Sequence, residues 1–244
     1  MLKRISLLLL SSILLLGSLC GCNQSPVDEK FMASLAKGLE ARWELTTAQK
    51  GDNLKSDWES YFDAEYNEIK KYKEESFENQ ELERWAKTYI HCIEASYEAL
   101  AYYGTNQWAT KYTNGIYHER AVALYEIHNI APVPVSTENS EHLIAIINDG
   151  EVIKMVNNLF ETVNFKKVEE SYGWTTYEAV VENTTSIAFS YFYFDVDLID
   201  KDGVTISTET AVAENWEAGE KLKFSFSTDE SFEEMDVEYC GWDF

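Results

Sequence analysis

The chain has 244 residues, and its 43 acidic and 20 basic side chains give a formal net charge of -23 at pH 7. This charge argues against nucleic acid and anionic lipid headgroups as partners of the folded body, because both are negatively charged. The apolar residues, 45 % of the chain, are sufficient for a folded core.

The N-terminus has the three parts of an export signal. Lys3 and Arg4 give it a basic start, residues 5–16 are almost entirely apolar, and small residues follow. The apolar run is shorter than the ~20 residues that a membrane-spanning helix needs. We therefore predict a signal peptide over residues 1–21, and the alternative is an uncleaved membrane anchor.

The end of this signal carries the sequence Leu19-Cys20-Gly21-Cys22, which resembles the lipobox of bacterial lipoproteins. Cys20 departs from the lipobox, in which Ala or Ser is commoner at that slot. The resemblance implies a diacylglyceryl thioether on Cys22 and cleavage before it. Acyl chains such as palmitate would then anchor the protein to the outer face of the cytoplasmic membrane. Residues 22–27 are expected to form a short tether.

Residues 28–161 have helical periodicity, which predicts a helical bundle domain. Apolar residues recur every three or four positions in four stripes, and Asn79 is placed to cap the third helix. A fifth helix is expected over residues 136–160, and Gly150 either weakens it or divides it into two. The stripes begin at Phe31, Trp58, Leu82 and Trp108.

Residues 162–244 change to a period of two, which is typical of strands. Asp200-Lys-Asp-Gly203 predicts a hairpin turn, and Glu217-Ala-Gly-Glu220 predicts another. About six short strands separated by such turns indicate an antiparallel β-sandwich. The predicted fold class is therefore α+β, with an N-terminal helical bundle and a C-terminal sandwich.

Three segments of the C-terminal part resemble the FxLYD domain family: residues 181–186, 196–203 and 215–224. Of the family's namesake pentad, Leu198 and Asp200 match, whereas Val196 and Ile199 stand where Phe and Tyr are expected. The resemblance covers roughly residues 163–240. It implies an Ig-like sandwich of a bacterial or archaeal surface protein, and it supplies no catalytic residue.

The sequence predicts no catalytic site, metal or cofactor. His118-Glu119 begins a zinc-protease motif, but Val122 occupies the slot of the second histidine. Cys92 and Cys240 remain after export, and whether they form a disulfide depends on their separation in the fold. A calcium site around Asp195, Asp197 and Asp200 is an alternative to an ordinary polar strand and turn.

Aromatic residues are abundant, and two groups are candidate contacts for a partner. The first group surrounds the turn between the third and fourth helices, and the second lies on one strand. The alternative is that these rings fill a core that is short of Leu and Ile. The candidates are Tyr102, Tyr103, Trp108, Tyr112, Tyr191 and Tyr193.

Together these features predict a lipid-anchored extracytoplasmic protein, from a Gram-positive bacterium, with a binding or accessory role and no enzymatic activity. Its expected partners are the membrane, through the lipid on Cys22, and an envelope protein or glycan. Two alternatives stay open: a solute-binding lipoprotein of a transporter, and an envelope hydrolase with an unrecognised site. The absence of an alternating βαβ pattern argues against the first alternative.

Overall fold

The structure is a computed structural model that describes residues 26–244. The predicted signal peptide and the predicted lipid site, Cys22, lie outside the described residues. Helices precede two antiparallel sheets, which confirms the predicted α+β layout. The helices are α1 (Pro26–Ala48), α2 (Lys55–Ile69), α3 (Gln80–Ala99), α4 (Asn106–Trp108), α5 (His118–Ile130) and α6 (Ser140–Thr162).

The helical half is built on the apolar stripes that the sequence contains. Phe31, Leu35 and Leu39 of α1 are almost completely buried, as are Leu82 and Ile93 of α3. The Asn79 side chain accepts hydrogen bonds from the backbone N–H groups of Glu81 and Leu82, at 3.0 and 3.1 Å. This confirms the predicted cap, because an N-cap oxygen satisfies amides that have no helical partner.

One segment of the helical half differs from the prediction of an ordinary helix. Ala109–Tyr117 is a π-helix, and it continues directly from α4 into α5. Its wider winding changes the direction of the side chains that follow it, relative to an uninterrupted α-helix. The spacing of Trp108, Tyr112 and Ile116 predicted a helix here, but not this type of helix.

A buried ionic network ties the helices together. The Glu65 carboxylate, which is 1 % exposed, accepts from Arg42 Nη1 and Arg120 Nη2, each at 2.7 Å. Tyr89 Oη donates to the same carboxylate at 2.7 Å, and Arg42 Nη2 also donates to Tyr112 Oη at 3.2 Å. The network joins α1, α2, α3 and α5 with the π-helix, because each contributes one member.

The strands form two three-stranded antiparallel sheets, of order β1-β2-β5 and β4-β3-β6. Their inner faces share one core, in which Phe194 of β3 meets Phe224 of β5 with ring centroids 4.9 Å apart. The assignment of this sandwich to the Ig-like class stays a prediction. The strands are β1 (Lys166–Ser171), β2 (Trp174–Glu182), β3 (Phe189–Ile199), β4 (Thr205–Trp216), β5 (Lys221–Thr228) and β6 (Glu234–Asp243).

Two of the three segments that resemble the FxLYD family, residues 181–186 and 215–224, meet at one corner of the sandwich. The third, residues 196–203, lies at the other end of β3 and contains the hairpin turn. Asn183 is completely buried, and its side chain donates to the carbonyls of Ile187 and Trp216, at 2.7 and 3.3 Å. The Gly219 amide donates to the Asn183 carbonyl at 2.8 Å, and Gly219 has a φ of +75°. Residues 181–186 and 215–224 therefore form a structural corner, in which Gly219 has a backbone conformation that favours glycine.

Helix α6 packs against both halves of the molecule. Leu143, Ile146 and Ile147 lie against the helical core, whereas Val152 and Val156 belong to the sandwich core. The helix is continuous, so the predicted alternative of a break at Gly150 is wrong. A Cβ at Gly150 would lie 2.3 Å from the Ala121 carbonyl oxygen, so glycine allows α5 and α6 to approach closely.

Candidate functional site

A cleft lies where the helical half meets the open edge of β6. It is a cavity of about 430 Å³, within the size range of small-ligand sites. The end of the π-helix and the start of α5 form one wall, α6 forms the second and β6 the third. The residues that line it are Asn114, His118, Ile153, Val156, Asn157, Phe160, Cys240, Gly241 and Trp242.

A second depression of about 460 Å³ adjoins this cavity. Asn114, His118 and Asn157 line both, so these three side chains stand at the junction. The second depression is closed by α3, through Trp85 and Thr88, and it contains one carboxylate, Glu119. We call the two depressions together the interdomain cleft.

The amides at this junction are not used by the fold. Asn114 and Asn157 are both exposed, and neither side chain forms a hydrogen bond to another of the residues that the structure describes. An amide side chain offers two donors and an acceptor. The junction therefore presents solvent-exposed hydrogen-bonding groups, which have no partner in the described part of the fold, to a ligand that enters the cleft.

His118 contributes an imidazole that is neutral at pH 7. Burial lowers its pKa below the ordinary value of 6.5, and this effect outweighs the opposite influence of Asp149. Asp149 accepts a hydrogen bond from Tyr117 Oη at 2.5 Å, and burial, followed by this bond, raises the pKa of that phenol. The neutral ring offers one donor and one acceptor.

Aromatic side chains border both ends of the interdomain cleft. Trp242 lies opposite Phe192 on the neighbouring strand, with the ring centroids 6.3 Å apart and nearly parallel, so the sandwich core orients the indole. At the other end, Trp85 is covered by the Arg84 guanidinium, 4.3 Å from its ring. Trp85 Nε1 is a buried donor that has no acceptor within the described part of the chain.

Sequence reasoning missed this cleft because its residues come from three distant segments. Asn114, Asn157 and Trp242 have no common motif, and only the packing of α6 between the two cores brings them together. A π-helix is itself rare, and such segments occur frequently at functional sites. Asn114-Gly115 in the middle of an aromatic stripe was the available signal, since both residues are poor helix formers.

The predicted aromatic contacts near the third helix are mostly part of the core. Tyr112 is 4 % exposed, so it is too buried to contact a partner. Trp108 stacks on Tyr112 at 4.5 Å, and Tyr103 donates its hydroxyl to the Asn53 carbonyl. Tyr102 is 36 % exposed, with Lys111 Nζ 4.9 Å from its ring centroid. Of this group, Tyr102 is the ring that remains available at the surface.

The predicted pair on β3 is half-buried. The rings of Tyr191 and Tyr193 lie 5.7 Å apart, on the face opposite Phe192 and Phe194. Tyr193 also covers Gly241, where a Cβ would lie 2.4 Å from its ring. The pair thus lies on the outer face of the sheet that also supplies Trp242.

The acidic residues of β3 have hydroxyl partners. Thr210 donates to Asp195 at 2.8 Å, and Thr205 and Thr208 donate to Asp197 at 3.2 and 2.6 Å. Asp200 accepts from the backbone amides of Asp202 and Val204 in the predicted hairpin turn. Within residues 26–244, no cluster of His, Cys, Asp and Glu is arranged to hold a metal ion.

The two cysteines in the described region are free thiols, and both are buried. Cys92 belongs to the helical half and Cys240 to the sandwich core. Burial raises the pKa of each thiol to about 12, so both stay protonated at neutral pH. No helix of the described region is both long enough and apolar enough to span a membrane.

Comparisons with known proteins give no family assignment. No family model matches the chain, and no curated protein matches it. The solved structure of IrmA from Escherichia coli is similar over 34 % of this chain and 79 % of that chain, with 13 % identity and a TM-score of 0.29. A likeness this weak supports no conclusion about fold or function.

Proposed function

We propose that this protein is a lipid-anchored binding protein on the outer face of the bacterial cytoplasmic membrane. The lipid on Cys22 holds it there, and the interdomain cleft binds its ligand. The observation that carries the binding role is the junction of Asn114, His118 and Asn157. These side chains converge from three elements, the π-helix, α5 and α6, and the fold does not use their hydrogen-bonding groups.

The anchored location is supported by the lipobox resemblance and by the charge of the chain. A net charge of -23 repels the folded body from anionic headgroups, so the body stays off the membrane while the acyl chains insert. Two acyl chains on one residue give durable attachment, whereas a single chain gives marginal binding.

A non-catalytic role is supported by the chemistry of the cleft. Its thiol, Cys240, is protonated, and its imidazole forms no hydrogen bond to a carboxylate or hydroxyl of the described residues, although Asp149 lies close enough to influence its pKa. A nucleophile needs a neighbouring base within hydrogen-bond reach, and a general acid or base needs a partner that orients it. Uncharged polar and aromatic side chains are, by contrast, typical of binding sites.

The anchor is tested by Cys22→Ser, with Cys20→Ser as the matched control two residues away. In a bacterial host, the full chain should partition with the membrane and carry acyl chains on Cys22 by mass spectrometry. Cys22→Ser should move to the soluble fraction, and Cys20→Ser should not. Equal membrane retention of both variants would refute the anchor.

The binding role is tested by proximity crosslinking of the full, anchored chain, with a photoreactive phenylalanine analogue at Phe160, which lines the cavity and keeps its ring in this replacement. Recovery of one discrete envelope component, lost when the probe is moved to Trp174 on the exposed hairpin, would support a site in the cleft. The same component recovered from both positions would contradict it, and so would no component from either.

A further inference from the structure

The main cavity of the interdomain cleft has an uncharged lining in a strongly charged protein. Charged residues make up 26 % of the chain, yet none of the nine residues lining this cavity is Asp, Glu, Lys or Arg. A charged ligand that enters such a cavity loses water without gaining an ionic partner, which is costly. The lining therefore selects for a neutral ligand.

The polar groups of the cavity also select for a particular pattern of hydrogen bonding. Asn114, Asn157 and the neutral ring of His118 each present both a donor and an acceptor. A hydroxyl group donates and accepts in the same way, so it satisfies such groups in either orientation. A ligand that carries several hydroxyl or amide groups matches this junction, and a purely apolar ligand leaves the amides unpaired.

Aromatic surface supplies the remainder of the contact. Trp242 is held by its cross-strand neighbour Phe192, and Phe160 is 39 % exposed at the rim of the cavity. A rigid ring offers a large apolar contact area at low entropic cost. A ligand with one apolar face and a polar edge can therefore pack on a ring while its edge reaches the amides.

We propose that the interdomain cleft binds a short neutral saccharide. Its ring faces pack on Trp242 and Phe160, and its hydroxyl or N-acetyl groups bond to Asn114, His118 and Asn157. This inference rests on the proposed binding function and names its ligand class. The proposed site is the main cavity, and the adjoining depression, which holds Glu119, is not part of it.

The proposal is tested with four sugars of different charge and the full chain in a detergent without a sugar headgroup. Two are neutral, cellobiose and N,N′-diacetylchitobiose. Chitobiose, with free amines, is cationic and cellobiouronic acid is anionic, and all four sugars are disaccharides. We expect saturation-transfer NMR to detect at least one neutral sugar, and its affinity should exceed that of the charged sugars by about tenfold or more. Equal or stronger binding of a charged sugar would overturn the proposal.

The position of the site is tested by Asn157→Asp, with Asn158→Asp as the matched control. Both residues are exposed on α6, so both variants should fold, but Asn157 alone lines the main cavity. Asn157→Asp should weaken binding of the neutral sugar by about tenfold, and Asn158→Asp should leave it within about twofold. Equal effects, or none, would place the sugar elsewhere and overturn the proposal.

The two proposals can fail separately. If no sugar binds while crosslinking from Phe160 still captures one discrete envelope protein, the saccharide inference is wrong and the binding function stands. If no sugar binds and no component is captured, both are wrong.

Discussion

The two halves of this molecule solve the problem of buried polar groups in different ways. The helical half buries charges, since Glu65, Arg42 and Arg120 meet in its core. The sandwich core is apolar and aromatic, and its buried polar side chains are neutral: Asn183, Thr185 and Thr228. The stability of the helical half therefore depends on the ionisation of its buried side chains. The stability of the sandwich depends on hydrogen bonds between groups that do not titrate.

This difference affects how each half of the molecule fixes the relative positions of its helices or strands. A buried ion pair adds little net stability, but the removal of one partner leaves a charge that is expensive to bury. The Glu65 network joins five helical segments, so it constrains their relative positions. The corner at Asn183 has a local role, because it joins the β2–β3 connection to the turn between β4 and β5.

The largest effect is expected from Glu65→Ala. This substitution leaves Arg42 and Arg120 buried without a counter-charge, and the loss of one partner of a buried pair costs about 3–5 kcal/mol. Urea unfolding of the full chain, followed by circular dichroism, measures the change. Glu68→Ala on the same helix is the control: it removes a partly exposed pair with Lys37, worth less than ~1 kcal/mol. Similar losses in the free energy of unfolding for the two variants would mean that the Glu65 network does not stabilise the packing of the helices.

Acid should destabilise the helical half before the sandwich, because the helical half contains the buried Glu65 carboxylate. Burial raises the pKa of Glu65, but Arg120 and Arg42 outweigh burial and hold it below its ordinary value of 4.5. The stability from this group is complete above the unfolded-state pKa, and it is lost as pH falls through the lower folded-state pKa. Amide exchange in acid, below pH ~4, should therefore show earlier loss of protection in α2 than in β3. If β3 lost its amide protection before α2, the proposed difference in acid sensitivity between the two halves would be wrong.

Asn183→Ala should damage the sandwich by a smaller amount. It removes the side-chain donor to the Trp216 carbonyl and the acceptor of the Thr185 amide, and each unsatisfied buried group costs ~1–3 kcal/mol. The Ile187 carbonyl loses the same donor but keeps the Thr185 hydroxyl at 3.1 Å. Because water and small movements relieve part of this cost, we expect a loss of about 2–3 kcal/mol in the free energy of unfolding. Asn158→Ala, an exposed position, should change it by less than ~0.5 kcal/mol. A loss at Asn183 as small as this would show that the corner is dispensable.

Much of the fold could be predicted from the sequence because local patterns encode it. The stripe from Phe31 is buried, Asn79 caps α3, and Asp200 forms the hairpin turn as expected. Each of these features depends on residues only a few positions apart. Long-range pairing, such as that of Glu65 with Arg120, has no local signature, and an acidic chain hides one carboxylate among many.

The candidate site was harder to predict for the same physical reason. His118 was considered as a metal ligand, whereas in the structure it stands beside Asn157 of another helix. The two ends of α6 pack on different cores. The sequence did not indicate this, because the apolar face of α6 looks uniform along its length. The lipid on Cys22 and the partner aromatics Tyr102, Tyr191 and Tyr193 stay predictions.

Gly150→Ala tests whether α6 transmits strain between the halves. The new Cβ would lie 2.3 Å from the Ala121 carbonyl oxygen, which forces α5 and α6 apart. Overpacking costs ~1–3 kcal/mol, and the better helix propensity of alanine returns up to ~1 kcal/mol. We expect a net loss of about 1–2 kcal/mol, measured by thermal unfolding, with exchange increased at both ends of α6. Gly115→Ala, whose nearest contact would be 3.4 Å, serves as the control and should not destabilise. Changes confined to the helical half would show that α6 does not couple the cores.

The smallest effect, of opposite sign, is expected at the tip of the β1–β2 hairpin. Tyr172 is fully exposed with a φ of +53°, and Gly173 follows with +86°, so the two form a turn in which Asn-Gly is preferred. Tyr172→Asn should therefore stabilise the chain by about 0.5–1 kcal/mol, because asparagine tolerates this conformation better. Tyr172→Ala keeps the steric conflict of its Cβ and should give no gain. The tip lies at the far end of β1 from Lys166, which borders α6, so amide protection should rise most in β1 and β2. An equal rise in α5 would show that the two halves are coupled more tightly than their separate cores imply.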